Sequence, residues 1–405
     1  MQARLLNQSH QQNLGDLMHD IGVDKYGIRI MQPKANLRVI YLDNIASFSA
    51  NILKQETLSL GADLAIPREA LFTKKPVQCL LFATDSQIDK LLKKIKKQPY
   101  SLRELGSLIK ECLENSKRRK FLIQARERKL TINKPLIMGI LNVTSDSFSG
   151  DGLLKAQDKK LAIKDLVLKR ADEMIREGAD WIDVGGESTR PGAKPLKLKD
   201  ELARAIPAIK TIKKYFPKIP ISIDTYKPDV AKEALEEGAC IVNDITALRS
   251  DRLAKTVARK KAAVILMHMK ATPLTMQQKP FYNDVLAEIY GFLDKAIRRA
   301  ASFGIEKEKT IIDVGIGFGK RLEDNLRLMR YLYEFKSLGR PILIGTSRKS
   351  FIGQLLNKAN PQDRLIGTIT SIAIGIINGA KILRVHDIRQ AKEAVKIADS
   401  IMSLC

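Results

Sequence analysis

"ISIDTYKPDVAKEALEEGACIVNDI", residues 221–245, decides the fold. It opens on a four-residue run in which the isoleucines Ile221 and Ile223 alternate with Ser222 and Asp224. "PDVAKEALEEGA" (228–239) follows, with its apolar residues at helical spacing and a stop at Gly238. A second β-rich run, "CIVNDI" (240–245), comes directly after. Strand, helix and strand joined this tightly form a βαβ unit, which implies a parallel sheet.

The same rhythm continues on both sides. Upstream lie "PLIMGILN" (135–142) and "WIDVGG" (181–186); downstream lie "AVILMH" (263–268), "TIIDVG" (310–315), "PILIGTS" (341–347) and "ILRVHD" (382–387). With 221–224 and 240–245 that makes eight runs in roughly the 250 residues typical of a closed (β/α)8 barrel. The expected class is therefore α/β: a (β/α)8 TIM barrel over residues 131–405. A doubly wound open sheet is the competing topology. Residues 1–130 carry short strand-like runs, "LRVIYL" (37–42) and "VQCLLFA" (77–83), between helical patterns. They read as a small N-terminal α/β domain of unassigned role.

Each of the eight runs ends on a side chain that can do chemistry: Asn142, Asp183, Asp224, Asn243, His268, Asp313, Ser347, and finally Arg384 with His386. Active sites of such barrels lie at the carboxyl ends of the strands. Loops begin there too, so some polar residues are expected by default. Eight ends out of eight exceed that default, and a polar ring around one mouth is a ligand site. Arg384 and His386 are two apart on a strand and point to the same face. With Arg190, Arg348 and Lys349 they suit a phosphate. Asn142 can hold a divalent metal through its amide oxygen, and Mg²⁺ takes few protein ligands alongside waters and phosphates. Together these point to a diphosphate. Asp224, Asn243 and Asp313 are costly in a barrel mouth unless paired. A flat nitrogen heterocycle would satisfy them; pairing with Lys349 and nearby backbone is the bland alternative.

Other features narrow the choice. "DVGIGFGK" (313–320) is no P-loop, since Val314 and Arg321 stand where Gly and Ser or Thr are needed. Its glycines let backbone pass close to a flat ligand. His268 lacks the companions of a catalytic zinc. The net charge of +25 is spread along the chain, and its clusters "KKIKK" and "KRRK" lack interleaved aromatics, so no nucleic-acid partner is expected. Four widely spaced cysteines fit a reducing, cytoplasmic setting. "LIGTITSIAIGIING" (365–379) is short and carries Thr and Ser, so it reads as a buried helix and no membrane partner is expected.

Taken in order, "IMGILNVTSDSFSGDG", "GADWIDVGGESTRPGA", "SIDTYKPDVAKEALEEGACIVNDI", "ILMHMK", "DVGIGFGK", "GTSRKSF" and "RVHDI" resemble the dihydropteroate synthases, of the pterin-binding barrel group. The resemblance spans about 135–390. It implies condensation of 4-aminobenzoate with 6-hydroxymethyl-7,8-dihydropterin diphosphate, Mg²⁺ as cofactor, sulfonamides as inhibitors, and a homodimer using the 365–379 region. Carried over by position, it makes Asn142 the metal ligand and Thr189, Arg384 and His386 diphosphate contacts. Asp224, Asn243, Asp313 and Lys349 become pterin contacts with Met267 nearby, and Arg190, Pro191, Phe318 and Ser347 the aminobenzoate side. The expected catalytic set is Asp313, Lys349, Arg384, His386 and Asp224. A methyltetrahydrofolate-corrinoid methyltransferase shares the pterin pocket but handles no diphosphate; a non-catalytic pterin- or phosphate-binding barrel would not need the whole ring.

The sequence departs from the family pattern at Ser145, where proline is usual, at Gly150 before Asp151, at Val314 and at Ala271. None removes a chemical group. Ser145 frees a backbone angle that proline would fix, so the polar stretch 144–152 reads as a loose lid over the diphosphate.

Overall fold

A computed structural model of the chain describes residues 3–4, 14–99, 101–144, 163–188 and 195–403. Two compact units divide between Glu114 and Asn115. The first contains α1 (Leu14–Asp20), α2 (Lys25–Ala35), β1 (Leu37–Ile45), α3 (Ser47–Leu58), β2 (Asp63–Ala65), β3 (Val77–Thr84), α4 (Asp85–Ile95) and most of α5 (Leu102–Lys117). Its sheet is antiparallel with order β1-β3-β2. Alternation along β3 sends Val77, Cys79, Leu81 and Ala83 into a core shared with Leu53, Ile88, Leu91 and Ile109. Thr84 and Gln87 form a reciprocal cap that starts α4: the Gln87 N–H donates to Thr84 Oγ1 and the Thr84 N–H to Gln87 Oε1.

The second unit begins with a hairpin, β4 (Phe121–Ala125) and β5 (Arg128–Ile132). Eight parallel strands follow: β6 (Leu136–Asn142), β7 (Trp181–Gly185), β8 (Ile221–Asp224), β9 (Ile241–Asp244), β10 (Ala263–Met267), β11 (Thr310–Asp313), β12 (Ile342–Ile344) and β13 (Ala380–Val385). They close into a barrel in chain order, β13 pairing back onto β6. Every β-rich run read from the sequence is one of these strands. Around them lie α6 (Ile163–Arg176), α7 (Leu198–Tyr215), α8 (Pro228–Glu236), α9 (Asp251–Arg259), α10 (Val285–Ser302), α11 (Leu322–Arg330), α12 (Ser350–Leu356), α13 (Leu365–Ile377) and α14 (Ile388–Ser403).

Period-two alternation sorts each strand into two faces. Ile182, Val184, Ile223, Val242, Val264, Ile312 and Leu383 join the layer under the helices. Met138, Trp181, Ile241, Ile265, Ile311, Leu343 and Ile382 fill the barrel floor, which Ile123, Ala125 and Ile132 of the hairpin close. The Arg126 N–H donates to the Lys261 carbonyl and pins the hairpin there. One strand step above this dry floor the inward residues turn polar.

The stretch 365–379 is the helix α13, with Thr368, Ser371, Ile372 and Ile376 buried. It is not buried all round: Ile366 (73%), Ile374 (43%) and Ile377 (52%) remain exposed. Apolar composition alone does not say which face of a helix is covered. No helix among the described residues is long and apolar enough to cross a membrane.

Candidate active site

The polar ring sits at the carboxyl ends of the barrel strands, in register across the sheet. Asn142 pairs with Gly185, Asp183 with Ser222, Asp224 with Asn243, and Met267 with Asp313. Strand pairing thus makes neighbours of residues that lie far apart in the chain.

At the centre is an ion cluster. The Arg384 guanidinium donates from Nε to Asp183 Oδ2 and from Nη2 to Asp224 Oδ2, each at 2.6 Å. Asn243 Nδ2 donates to the same Asp183 oxygen at 3.0 Å. Asp183 is fully buried and Asp224 nearly so. Burial works against the guanidinium charge, but Asp183 and Asp224 outweigh it and hold Arg384 more firmly protonated than usual. Burial pushes Asp224 up to about 7, with Arg384 opposing and Asp183 adding to the rise. Within this ion cluster Asp183 Oδ1 and Asp224 Oδ1 have no hydrogen-bond partner among the described residues. A buried acceptor without a donor is costly, so this cluster is built for a ligand that brings N–H groups.

Asp313 ends β11 on the neighbouring arc. Its Oδ1 accepts from the Gly315 N–H at 2.7 Å, and burial raises it to about 6 against the pull of that N–H and of Lys349 and Lys320. Gly315 has φ +68°, and a Cβ there would stand 1.9 Å from the His268 carbonyl oxygen. Gly315→Ala should therefore destabilise the protein by about 2–5 kcal/mol, through left-handed backbone and overpacking together. Urea unfolding measures this; a loss under about 1 kcal/mol would mean that the turn rearranges freely.

An apolar wall adjoins these acids. Met267 and Phe318 cluster with Ile245, Met269 and Met276. The Lys349 ammonium lies 4.0 Å from the centre of the Phe318 ring, at the N-terminus of α12. Beside them, after β12 and β13, Ser347 Oγ is 3.0 Å from His386 Nδ1, and the His386 N–H donates to Ser347 Oγ. Arg348 does not join a cationic rim: it forks onto Asp387 at 3.1 and 2.5 Å. Asp224 and Asn243 take Arg384 and Asp183 as side-chain partners, which differ from the Lys349 and backbone pairings of the bland alternative.

Asn142 and Asp224 bring carboxamide and carboxylate oxygens to either side of Gly185. A Cβ there would lie 3.2 Å from Asn142 Oδ1 and 4.0 Å from Asp224 Oδ2, so the missing side chain leaves room between two hard oxygen donors. No group of three His, Cys, Asp or Glu that could hold a metal occurs among the described residues. Sparse oxygen donors fit Mg²⁺ completed by water and phosphate, and do not fit zinc. Thr189, Arg190, Pro191 and the stretch from Ser145 to Gly152 lie outside the described residues.

Three participants were not assigned a site role from sequence. Asp183 is the hub of the ion cluster. Lys320 is buried, with Nζ 3.0 Å from His268 Nδ1. Lys227 bridges Glu187 and Glu201 at 2.5 and 2.6 Å beside β8. Strand parity was a signal for Asp183, since Trp181, Asp183 and Gly185 share one face. Nothing in the spacing signalled the other two.

The pterin binding enzyme family model matches residues 138–386. Dihydropteroate synthase of Escherichia coli (strain K12) is 43% identical over 279 residues, covering 69% of this chain and 96% of that protein. The chain belongs to the dihydropteroate synthase family. Solved structures of the family agree. The Yersinia pestis dihydropteroate synthase in a sulfonamide drug complex superposes with a TM-score of 0.66 at 38% identity, covering 70% of this chain and 100% of that one. The Thermus thermophilus dihydropteroate synthase in complex with 4-aminobenzoate gives 0.61 at 38% identity, covering 69% and 99%. The family region is the barrel; residues before it extend beyond the matched part.

Proposed function

We propose that this chain condenses 6-hydroxymethyl-7,8-dihydropterin diphosphate with 4-aminobenzoate, giving 7,8-dihydropteroate and pyrophosphate. The observation that carries the reading is the buried acid cluster with its unsatisfied acceptors, Asp183 Oδ1 and Asp224 Oδ1. The amino and ring N–H groups of the pterin supply the missing donors. Asp224, Asn243 and Asp313 orient the ring, Lys349 and Met267 flank it, and Phe318 and Ser347 face the aminobenzoate. Arg384 and His386 face the diphosphate; the family resemblance assigns Arg190 and Pro191 to the aminobenzoate and Thr189 to the diphosphate.

The bond from the pterin methylene carbon to the diphosphate oxygen breaks, and its electron pair leaves with pyrophosphate. The cation left on the methylene is conjugated with an electron-rich ring. Asp313 and Asp224, ionised beside that ring, stabilise it. The aniline nitrogen then forms the new C–N bond and loses its proton. The substitution is SN1-like, with no covalent enzyme intermediate, and positioning supplies much of the rate. Asn142 Oδ1 would hold Mg²⁺, which supplies charge neutralisation at the leaving diphosphate.

A homodimer and a cytoplasmic site of action belong to the same reading. The exposed Ile366, Ile374 and Ile377 of α13, with Ile397 and Ile401 of α14, support self-association. Release of pyrophosphate that requires both 4-aminobenzoate and Mg²⁺ is the expected result with purified protein. Pterin binding without release would overturn the synthase reading in favour of a binding barrel.

A further inference from the structure

One buried ion is left over from the chemistry above. Lys320 is 4% exposed, yet among the described residues its ammonium is not paired to a carboxylate by a hydrogen bond. It donates to the Phe318 carbonyl at 3.1 Å and reaches the His268 carbonyl at 3.5 Å. Its third neighbour, His268 Nδ1 at 3.0 Å, must accept, because an ammonium only donates. While Lys320 is protonated, His268 is therefore the neutral tautomer with its proton on Nε2. Burial and the lysine charge agree, holding the imidazole down at about 2. The His268 ring is wedged edge-on against Phe292, 4.8 Å between centres, so it cannot turn to release the lysine without repacking.

These contacts join two loops. His268 follows β10 directly, and its N–H donates to the Asp313 carbonyl at the end of β11. Lys320 closes the glycine turn that starts at Asp313. A Cβ on Gly315 would stand 3.4 Å from Lys320 Nζ, so the ammonium also lies against the residue whose N–H holds the Asp313 carboxylate. Phe318, tied by its carbonyl, carries the ring that Lys349 covers.

We propose that Lys320 is a positioning residue for the condensation: its buried ammonium clamps the glycine turn after β11 onto the end of β10. In doing so it fixes Phe318 relative to Asp313 and places a positive charge behind the Asp313 carboxylate. The inference rests on the synthase reading given above. Burying an uncompensated cation is expensive, and a fold that keeps one beside a site acid gains a charge there that solvent cannot screen. The charged groups facing Lys320 are Asp313 on β11, Asp324 on α11, Lys270 after β10 and Lys349 at α12. Burial pulls Lys320 down to about 7, with Asp313 and Asp324 opposing and the two lysines assisting. Removing its charge lets the Asp313 carboxylate protonate more readily, so activity that needs Asp313 ionised begins at higher pH.

The test compares Lys320→Met and Lys320→Arg with the wild type, following dihydropteroate formation from pH 5 to 9 alongside thermal unfolding. Wild-type turnover in the same assay checks the synthase reading separately. Methionine keeps much of the stem without the charge. Lys320→Met is expected to lose at least tenfold in kcat/KM and to move the acid limb upward by half a pH unit or more. Lys320→Arg is expected to keep the wild-type limb and to recover most of the loss. Activity of Lys320→Met within twofold of wild type would overturn the proposal. So would a loss with an unmoved acid limb, which marks a merely structural lysine. If Lys320→Met does not fold, Lys320→Arg decides: folded, with the wild-type limb and turnover within tenfold, it supports the clamp; folded and inactive, or with a displaced limb, it overturns it.

Discussion

Asp313→Asn is expected to lower turnover by about 10²-fold while weakening pterin binding only a few-fold. The substitution keeps the shape of the side chain and an oxygen able to accept from the Gly315 N–H, so the glycine turn is preserved. What it removes is the negative charge beside the methylene carbon. A dissociative step places positive charge on that carbon only as the diphosphate departs, so the loss falls on the transition state and spares the ground state. The same logic sets the pH dependence. Burial lifts Asp313 to about 6 and Asp224 to about 7, and both must be ionised to stabilise the cation. Wild-type turnover should therefore fall as pH drops through 7 and 6, and the variant should lose the Asp313 part of that fall. Steady-state turnover and equilibrium pterin binding, measured across pH, check both statements. Equal losses in turnover and affinity would remove cation stabilisation from the mechanism.

Arg384→Met should destabilise the fold by about 3–5 kcal/mol near pH 8, because it leaves two buried carboxylates uncompensated. Asp183 and Asp224 each take a 2.6 Å bond from this guanidinium, and Asp183 is wholly buried. The sign of the pH effect follows from Asp224, whose ionisation burial already disfavours. A carboxyl raised in the folded state is a burden that grows as pH rises from its unfolded value to its folded one. Without Arg384 that folded value rises further. The stability deficit should therefore be largest at alkaline pH and shrink toward pH 5, where Asp224 takes up a proton. Urea unfolding at pH 8 and pH 5.5 measures both ends. A deficit that stays constant between them would mean that solvent enters the cluster and screens it. Turnover should fall as well, since Asp224 would be neutral at working pH.

The two experiments probe the two halves of one design. Asp313 carries charge toward the substrate on a turn fixed by Gly315, and Arg384 keeps its acids dissolved in protein instead of water. The unsatisfied oxygens of Asp183 and Asp224 show how close the neutralisation runs: one guanidinium and one amide serve two carboxylates, and the remaining acceptors await a ligand.

Several features of this architecture follow from the sequence alone. The alternation of β-rich runs with amphipathic helices, seen whole in 221–245, set the eight-stranded barrel. Strand alternation and the rule that such barrels bind at their carboxyl ends set the mouth and much of its chemistry, from Asn142 to His386. Those are properties of local periodicity, and local periodicity is written in the chain. Tertiary structure alone decided who pairs with whom. Arg384 and Asp183 lie on strands separated by one other strand, β6, and only barrel closure puts a guanidinium from β13 against β7 and β8. Lys320 is only the last residue of a glycine-rich motif in the sequence until the turn after β11 folds it against His268. Arg348 reads as a free cation until Asp387 captures it. Charge pairing and burial depend on distance through space, and a sequence carries no such distances until the barrel is closed.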